Sequence, residues 1–212
     1  MHEVVELLCQ RVERVIHRNR PMESTNVDIT ANGSCESIIK WGKLYGNFDD
    51  QQQRAFEIIT GTFVLIYFED AENNPDLTNL PRTRGEYGQE KQKIKKMVYV
   101  EGRLVMFLTG AGGSGKSEIT KQLLLYGKAF CNNLGCSFTE KTILMTALTG
   151  VAATLINGEI LHVAVYLNRK LGNITQDMID AFSGVKILII DEISFASAAD
   201  IEKLDCVLRK LT

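Results

Sequence analysis

The chain has 212 residues, 45% of them hydrophobic and 24% charged, which is enough for one sizeable folded domain and excludes wholesale disorder. Twenty-four Lys and Arg against 26 Asp and Glu leave a net charge of −2. That balance excludes a polycation that holds nucleic acid by bulk charge, though not a local groove that does. No apolar run reaches the ~20 residues of a membrane-spanning helix, and MHEVVELLCQRVERV carries charges throughout, unlike a signal peptide. The five scattered cysteines fit reduced thiols in an intracellular protein better than a disulfide framework. Cys131 and Cys136 lack the second ligand pair of a zinc site. The expectation is a soluble intracellular α/β protein that makes no use of a membrane.

Val4, Val5, Leu8, Val12, Val15 and Ile16 recur at helical spacing and predict a helix over residues 3–18, with a linker running on to residue 47. A second helix is expected from Phe48 to Phe68, capped by Asp49 and with Ala55, Phe56, Ile59, Phe63 and Ile66 on its apolar face. Residues 69–92 hold two of three prolines and few core formers, and read as a long polar loop. Strand-length apolar runs follow at Arg103–Leu108, Thr142–Thr146 and Val185–Ile190, with a helix expected over Lys116–Phe130. Apolar strands separated by helices predict a parallel sheet buried on both faces. Ser197, with Asp200 three residues later, caps a last expected helix to about Lys210. Three strands are fewer than the five or six usual in a nucleotide-binding sheet, so the domain reads as incomplete.

Thr109 is followed by Gly110, Ala111, Gly112, Gly113, Ser114, Gly115, Lys116 and Ser117, a match to G-x-x-x-x-G-K-[ST] between a predicted strand and a predicted helix. Glycines let consecutive N–H groups curl around an anion, and the helix start adds its dipole beneath them. Lys116 then supplies a charge for β- and γ-phosphates, and the Ser117 hydroxyl a ligand for Mg²⁺. The competing reading, a chance glycine-rich turn, lacks an explanation for the strand and helix on either side. Downstream, the apolar run ending at Ile190 opens into Asp191 and Glu192. At the carboxyl end of a parallel strand, Asp191 is placed to hold Mg²⁺ and Glu192 to orient and deprotonate water. Without the phosphate loop, both would read as solvated strand-end residues.

Together FLTGAGGSGKS, ILMTALTGVAATLINGEILH and VKILIIDEIS resemble the first motor domain of PIF-type (petite integration frequency) DNA helicases, a superfamily 1B group that includes Helitron-like helicases. The resemblance runs from about Phe48 to Ser197. It implies a P-loop NTPase of RecA-like fold, a parallel sheet flanked by helices, occupying residues 48–212 after an N-terminal helix and linker at 1–47. It further implies ATP-driven 5′-to-3′ translocation on single-stranded DNA and Mg²⁺ as the accompanying ion. Implied roles lie in repair, recombination and telomere maintenance, in nucleus or mitochondrion. A second RecA-like domain is expected beyond residue 212, and these residues alone are expected to be inactive in unwinding. On the matching positions, Lys116, Asp191 and Glu192 carry catalysis, and Gly110 to Ser117 hold ATP. Phe48–Phe56 looks like an adenine-sensing motif with Gln52 at its diagnostic place, while Thr149, Gly150 and His162 resemble the stretch that lies along DNA.

Several of these positions keep a second reading. Gln52 also stands where an N3 partner of Asp49 would cap the helix, and His162 beside Leu161 and Val163 is as readily a core residue. Ile160 stands where the family usually has Thr, and Leu148 where Pro is common. Lys91, Lys93, Lys95 and Lys96 read as DNA contacts or, more simply, as a solvated face. Two other functions fit part of the pattern: a non-catalytic nucleotide-binding remnant of a helicase or transposon gene, and another P-loop ATPase or kinase. A kinase needs an acceptor site in place of a water-orienting Glu.

Overall fold

The computed structural model describes residues 30–73, 84–98, 103–167 and 174–211. The helix expected over 3–18 lies outside these residues. Helix α1, Cys35–Trp41, starts where the Ser34 hydroxyl accepts from the Ser37 N–H at 3.2 Å, and Gly42–Gly46 continue it as a π-helical turn. Residues read as linker are therefore helical from 35 to 46. Their order comes from tertiary partners: Ser37 and Tyr126 share a hydroxyl hydrogen bond of 2.8 Å, and Trp41 Nε1 donates to Gln122 Oε1 at 3.1 Å. Helix α2, Asp50–Asn73, corresponds to the expected second helix and extends past it. Helix α3, Arg84–Val98, replaces much of the expected polar loop. Among the described side chains of α3, Lys91, Ile94 and Val98 are the buried ones, so most of its sequence looks like loop while one narrow face packs on α2. Met97, Ile94 and Val98 lie against Gly61 of α2, leaving no room for a Cβ there.

Helix α4, Lys116–Leu134, begins at the end of the glycine-rich loop and ends at Gly135 in a left-handed conformation. Strand β1, Ile143–Ala147, is followed by helix α5, Gly150–Leu155, strand β2, Glu159–Ile160, and the single turn α6, Leu161–Ala164. Helix α7, Gln176–Phe182, strand β3, Ile187–Asp191, and helix α8, Ala198–Leu211, complete the chain. The three strands form one parallel sheet in the order β2-β1-β3, with Ile143 opposite Ile187 and Ala147 opposite both Asp191 and Ile160. At Gly158 a Cβ would run into the Met145 carbonyl, so glycine is what lets the chain enter β2 close against β1.

Alternation along the strands sorts side chains onto two faces. Ile143, Ile187 and Ile189 join a core built from α1 to α4, where Phe56, Phe63, Tyr126 and Phe130 are fully buried. Leu144, Leu188 and Ile190 face the opposite way, into a second core with Leu161, Val165, Phe182, Leu204, Val207 and Leu211. The sheet thus lies between two helical layers, the α/β arrangement expected from the alternating pattern. Each fully buried Phe or Leu contributes roughly 1.5–3 kcal/mol relative to exposure. The buttress Lys186–Asp70, 2.7 Å between charges with Lys186 Nζ 6.0 Å from the Tyr67 ring centre, ties the start of β3 to α2.

One expected element is missing. Residues 103–108 form no strand and have no ladder partner among the described residues. Val105 is 96% and Phe107 69% exposed, while Leu108 packs on the aromatic core. An apolar run states that burial is favourable, but a strand also needs a neighbour to take its N–H and C=O groups.

Candidate nucleotide site

The glycine-rich loop turns at Ala111, whose carbonyl accepts the Ser114 N–H at 3.1 Å. Gly113 and Gly115 hold φ of 81° and 79°, and the latter position feeds straight into α4. Space is open around Gly112 and Gly113, where an added Cβ would meet nothing within 4 Å. Lys116 Nζ lies inside the loop, donating to the Gly110 carbonyl at 2.8 Å, the Ala111 carbonyl at 3.1 Å and the Ser114 hydroxyl at 3.1 Å. Ser117 follows on the exposed first turn of α4. A full charge, a hydroxyl and a helix start within consecutive residues fit the polyphosphate of a nucleotide with Mg²⁺.

This helix is held firmly. Gln122, 3% exposed, accepts from Trp41 and donates to Glu118 Oε1 at 2.9 Å and to the Tyr45 carbonyl at 3.3 Å. Gly127, in the body of α4, packs against Ile143 at the amino end of β1. From Gly127 back to Lys116 is ~16 Å of helix, and β1 runs ~13 Å toward its own carboxyl end. The eight residues 135–142 join α4 to β1.

The carboxyl edge of the sheet gathers other sequence-marked residues. The β1–β3 register sets Ala147 beside Asp191, and the β1–β2 register sets it beside Ile160. Asp191 Oδ1 accepts the Glu192 N–H at 2.9 Å. Glu192 is exposed with φ 54°, a left-handed conformation uncommon for a residue with a side chain. Thr149 caps α5, its hydroxyl accepting from the Ala152 N–H at 3.2 Å, and Gly150 is exposed at the helix start. His162 is half-buried in α6 and lies close enough to Asp200 to help hold that carboxyl below its usual range. The main cause of that depression is the Ser197 cap, whose hydroxyl donates to Asp200 Oδ2 at 2.7 Å.

Gln52 sits in both of its readings' neighbourhoods. Its Oε1 accepts the Asp49 N–H at 3.1 Å, while Asp49 Oδ1 accepts from Gln51 and Gln52 N–H groups at 2.9 Å each. This reciprocal cap is the arrangement that Asp-x-x-Gln spacing suggests. Its Nε2 donates to the Ser114 carbonyl of the phosphate loop at 3.0 Å, a contact no spacing rule would have found. Among the lysines of α3, Lys93 pairs with Glu90 at 2.7 Å and Lys95 with Glu69 at 4.0 Å, and Lys91 is buried.

Residues 88–212 match the model of the PIF1-like helicase family, which is more than half of the chain. The chain belongs to the PIF1-like helicases. It is 29% identical over 133 residues to the ATP-dependent DNA helicase RRM3 of Saccharomyces cerevisiae, covering 58% of this chain and 17% of that protein. Similarity to the ATP-dependent DNA helicase PIF1 of Mus musculus is 30% over 138 residues, 61% of this chain and 19% of the relative. The human protein of that name is 29% identical over 139 residues, covering 62% and 20%. The chain spans about one fifth of the length of these curated relatives. No solved structure matches it. No described helix is long and apolar enough to cross a membrane.

Proposed function

We propose that these residues form part of the first motor domain of an ATP-dependent DNA helicase that moves 5′-to-3′ on single-stranded DNA. What supports this reading is the phosphate loop leading directly into α4, together with Asp191 at the carboxyl end of β3 and Glu192 next to it. Gly110, Ala111, Gly112, Gly113, Ser114, Gly115, Lys116 and Ser117 hold the triphosphate of ATP, with Lys116 exchanging its loop carbonyls for phosphate oxygens. Ser117 and Asp191 are the oxygen donors suited to Mg²⁺, which supplies charge neutralisation at the β- and γ-phosphates. Glu192 orients the attacking water and takes its proton. Each atom of the Gln52 amide keeps one further hydrogen-bonding position, enough to read the adenine edge. Thr149 and Gly150 offer a helix start to a DNA phosphate, and His162 of α6 contacts the strand.

In this reading ATP hydrolysis works between two RecA-like domains, and the second lies outside these 212 residues. Repair, recombination and telomere roles, and a nuclear or mitochondrial setting, are carried by family resemblance. The choice of helicase over a nucleotide-binding remnant is tested by strand displacement with a longer protein containing a second motor domain. That protein unwinds DNA with ATP, and Glu192→Gln lowers its hydrolysis by about 10²–10⁴ while ATP still binds. The 212 residues alone displace no strand, since an arginine finger from a second domain is worth ~10³–10⁵ in rate. Unwinding by the short chain as a monomer, or full hydrolysis by the Glu192→Gln protein, would contradict the proposal.

A further inference from the structure

We propose that Gln52 is a positioning residue for the phosphate loop: it fixes the Ser114–Gly115 peptide to the start of α2 and thereby sets the loop's grip on any polyphosphate, whatever base is attached. The inference rests on the nucleotide-binding reading of the loop and adds a role separate from adenine recognition.

The amide is held from one side and used on the other. Asp49 N–H donates to Gln52 Oε1 at 3.1 Å, which fixes the amide plane and leaves Nε2 pointing at the loop. Nε2 then donates to the Ser114 carbonyl at 3.0 Å, across 62 residues of sequence. A trans peptide directs its N–H opposite to its C=O, and no cis peptide occurs among the described residues. Drawing the Ser114 carbonyl toward α2 therefore turns the Gly115 N–H away from it, to the other side of the loop. Gly115 is the last residue before α4, where N–H groups bind anions. The fit around the tether is close: a Cβ on Gly115 would lie 2.5 Å from Gln52 Nε2, so a side chain at 115 would push the amide off. Gly115 also holds φ 79°, a conformation that glycine adopts without strain.

A base contact and a loop tether differ in what they leave unchanged. The probes are ATP, GTP and inorganic tripolyphosphate, each titrated calorimetrically into the 212-residue chain. Gln52→Met removes both amide functions at similar length and weakens GTP and tripolyphosphate by a common factor, roughly 2- to 10-fold, the worth of one neutral hydrogen bond, and ATP by at least as much. Gln52→Glu keeps the acceptor for Asp49 N–H but has no amide hydrogen for Ser114 and adds a negative charge, so it loses at least as much. Asp49→Ala weakens the cap and lowers Tm, yet leaves tripolyphosphate affinity within about twofold because the tether survives. Loss confined to ATP would reduce Gln52 to a base reader. Equal losses in Asp49→Ala and Gln52→Met would make it a cap alone, and parental affinity in Gln52→Glu would also overturn the tether. Failure of the parent chain to bind any of the three probes would remove the nucleotide reading itself, and the tether with it.

Discussion

The helical body that carries the phosphate loop is built to a different standard from the carboxyl edge of the sheet. On the phosphate-loop side, Phe63, Tyr67, Tyr126 and Phe130 interlock edge-on or stacked with ring centres 5.1–6.3 Å apart, and polar anchors such as Gln122 are satisfied in the interior. At the sheet's own edge, all five residues of β3 are only half-buried, β2 has two residues, and Val151, Leu155 and Val163 of the neighbouring helices are 60–81% exposed. Helix α4, which follows the phosphate loop, is thus packed into an aromatic helical body. The residues proposed for hydrolysis and DNA stand on short elements with few neighbours, where they can respond to a partner.

The largest expected effect that tests this contrast is Phe130→Ala. Phe130 is fully buried against three other rings, and its loss should cost about 3–5 kcal/mol in urea unfolding. Ile190→Ala, at a half-buried position near the carboxyl end of β3 and facing the second core, should cost no more than about half of that. Equal losses would break the comparison. Next is Ser197→Ala, which removes the hydroxyl accepting the Asp200 N–H at 3.2 Å and should cost about 1 kcal/mol by the same assay. It should also return the Asp200 carboxyl toward its ordinary range, since the Ser197 hydroxyl is the chief cause of its depression. Nuclear magnetic resonance titration of Asp200 would show the rise. The smallest effect belongs to Val105→Ser, which should change stability by less than about 0.5 kcal/mol because the side chain is 96% exposed. A loss of several kcal/mol there would mean that residues 103–108 are paired in solution as a buried strand.

What the sequence makes legible follows the same division. The phosphate loop, the start of α4 at Lys116, β1, β3 and the Ser197–Asp200 cap are all written in local residue types, and local rules suffice to read them. Helix α1 is not, because seven mixed residues carry little periodicity and owe their order to Tyr126 and Gln122, far along the chain. Helix α3 hides for a related reason: its apolar positions are few, and lysines fill the gaps between them. The run at 103–108 misleads in the opposite direction, since its hydrophobicity is genuine and it has no ladder partner among the described residues. For the site, motif spacing marks Lys116, Asp191 and Glu192. The bridge from Gln52 to the Ser114 carbonyl depends on two segments meeting in space, and nothing local announces it.

The central claim is that the loop from Gly110 to Ser117 grips nucleotide through Lys116, and one calorimetric comparison tests it directly. Mg-ATP titrated into the 212-residue chain should bind, and Lys116→Ala should weaken that binding at least about tenfold, because a charged hydrogen bond is worth roughly 1.5–3 kcal/mol. Equal affinities for the two proteins, or no binding by the parent at about millimolar nucleotide, would contradict the account.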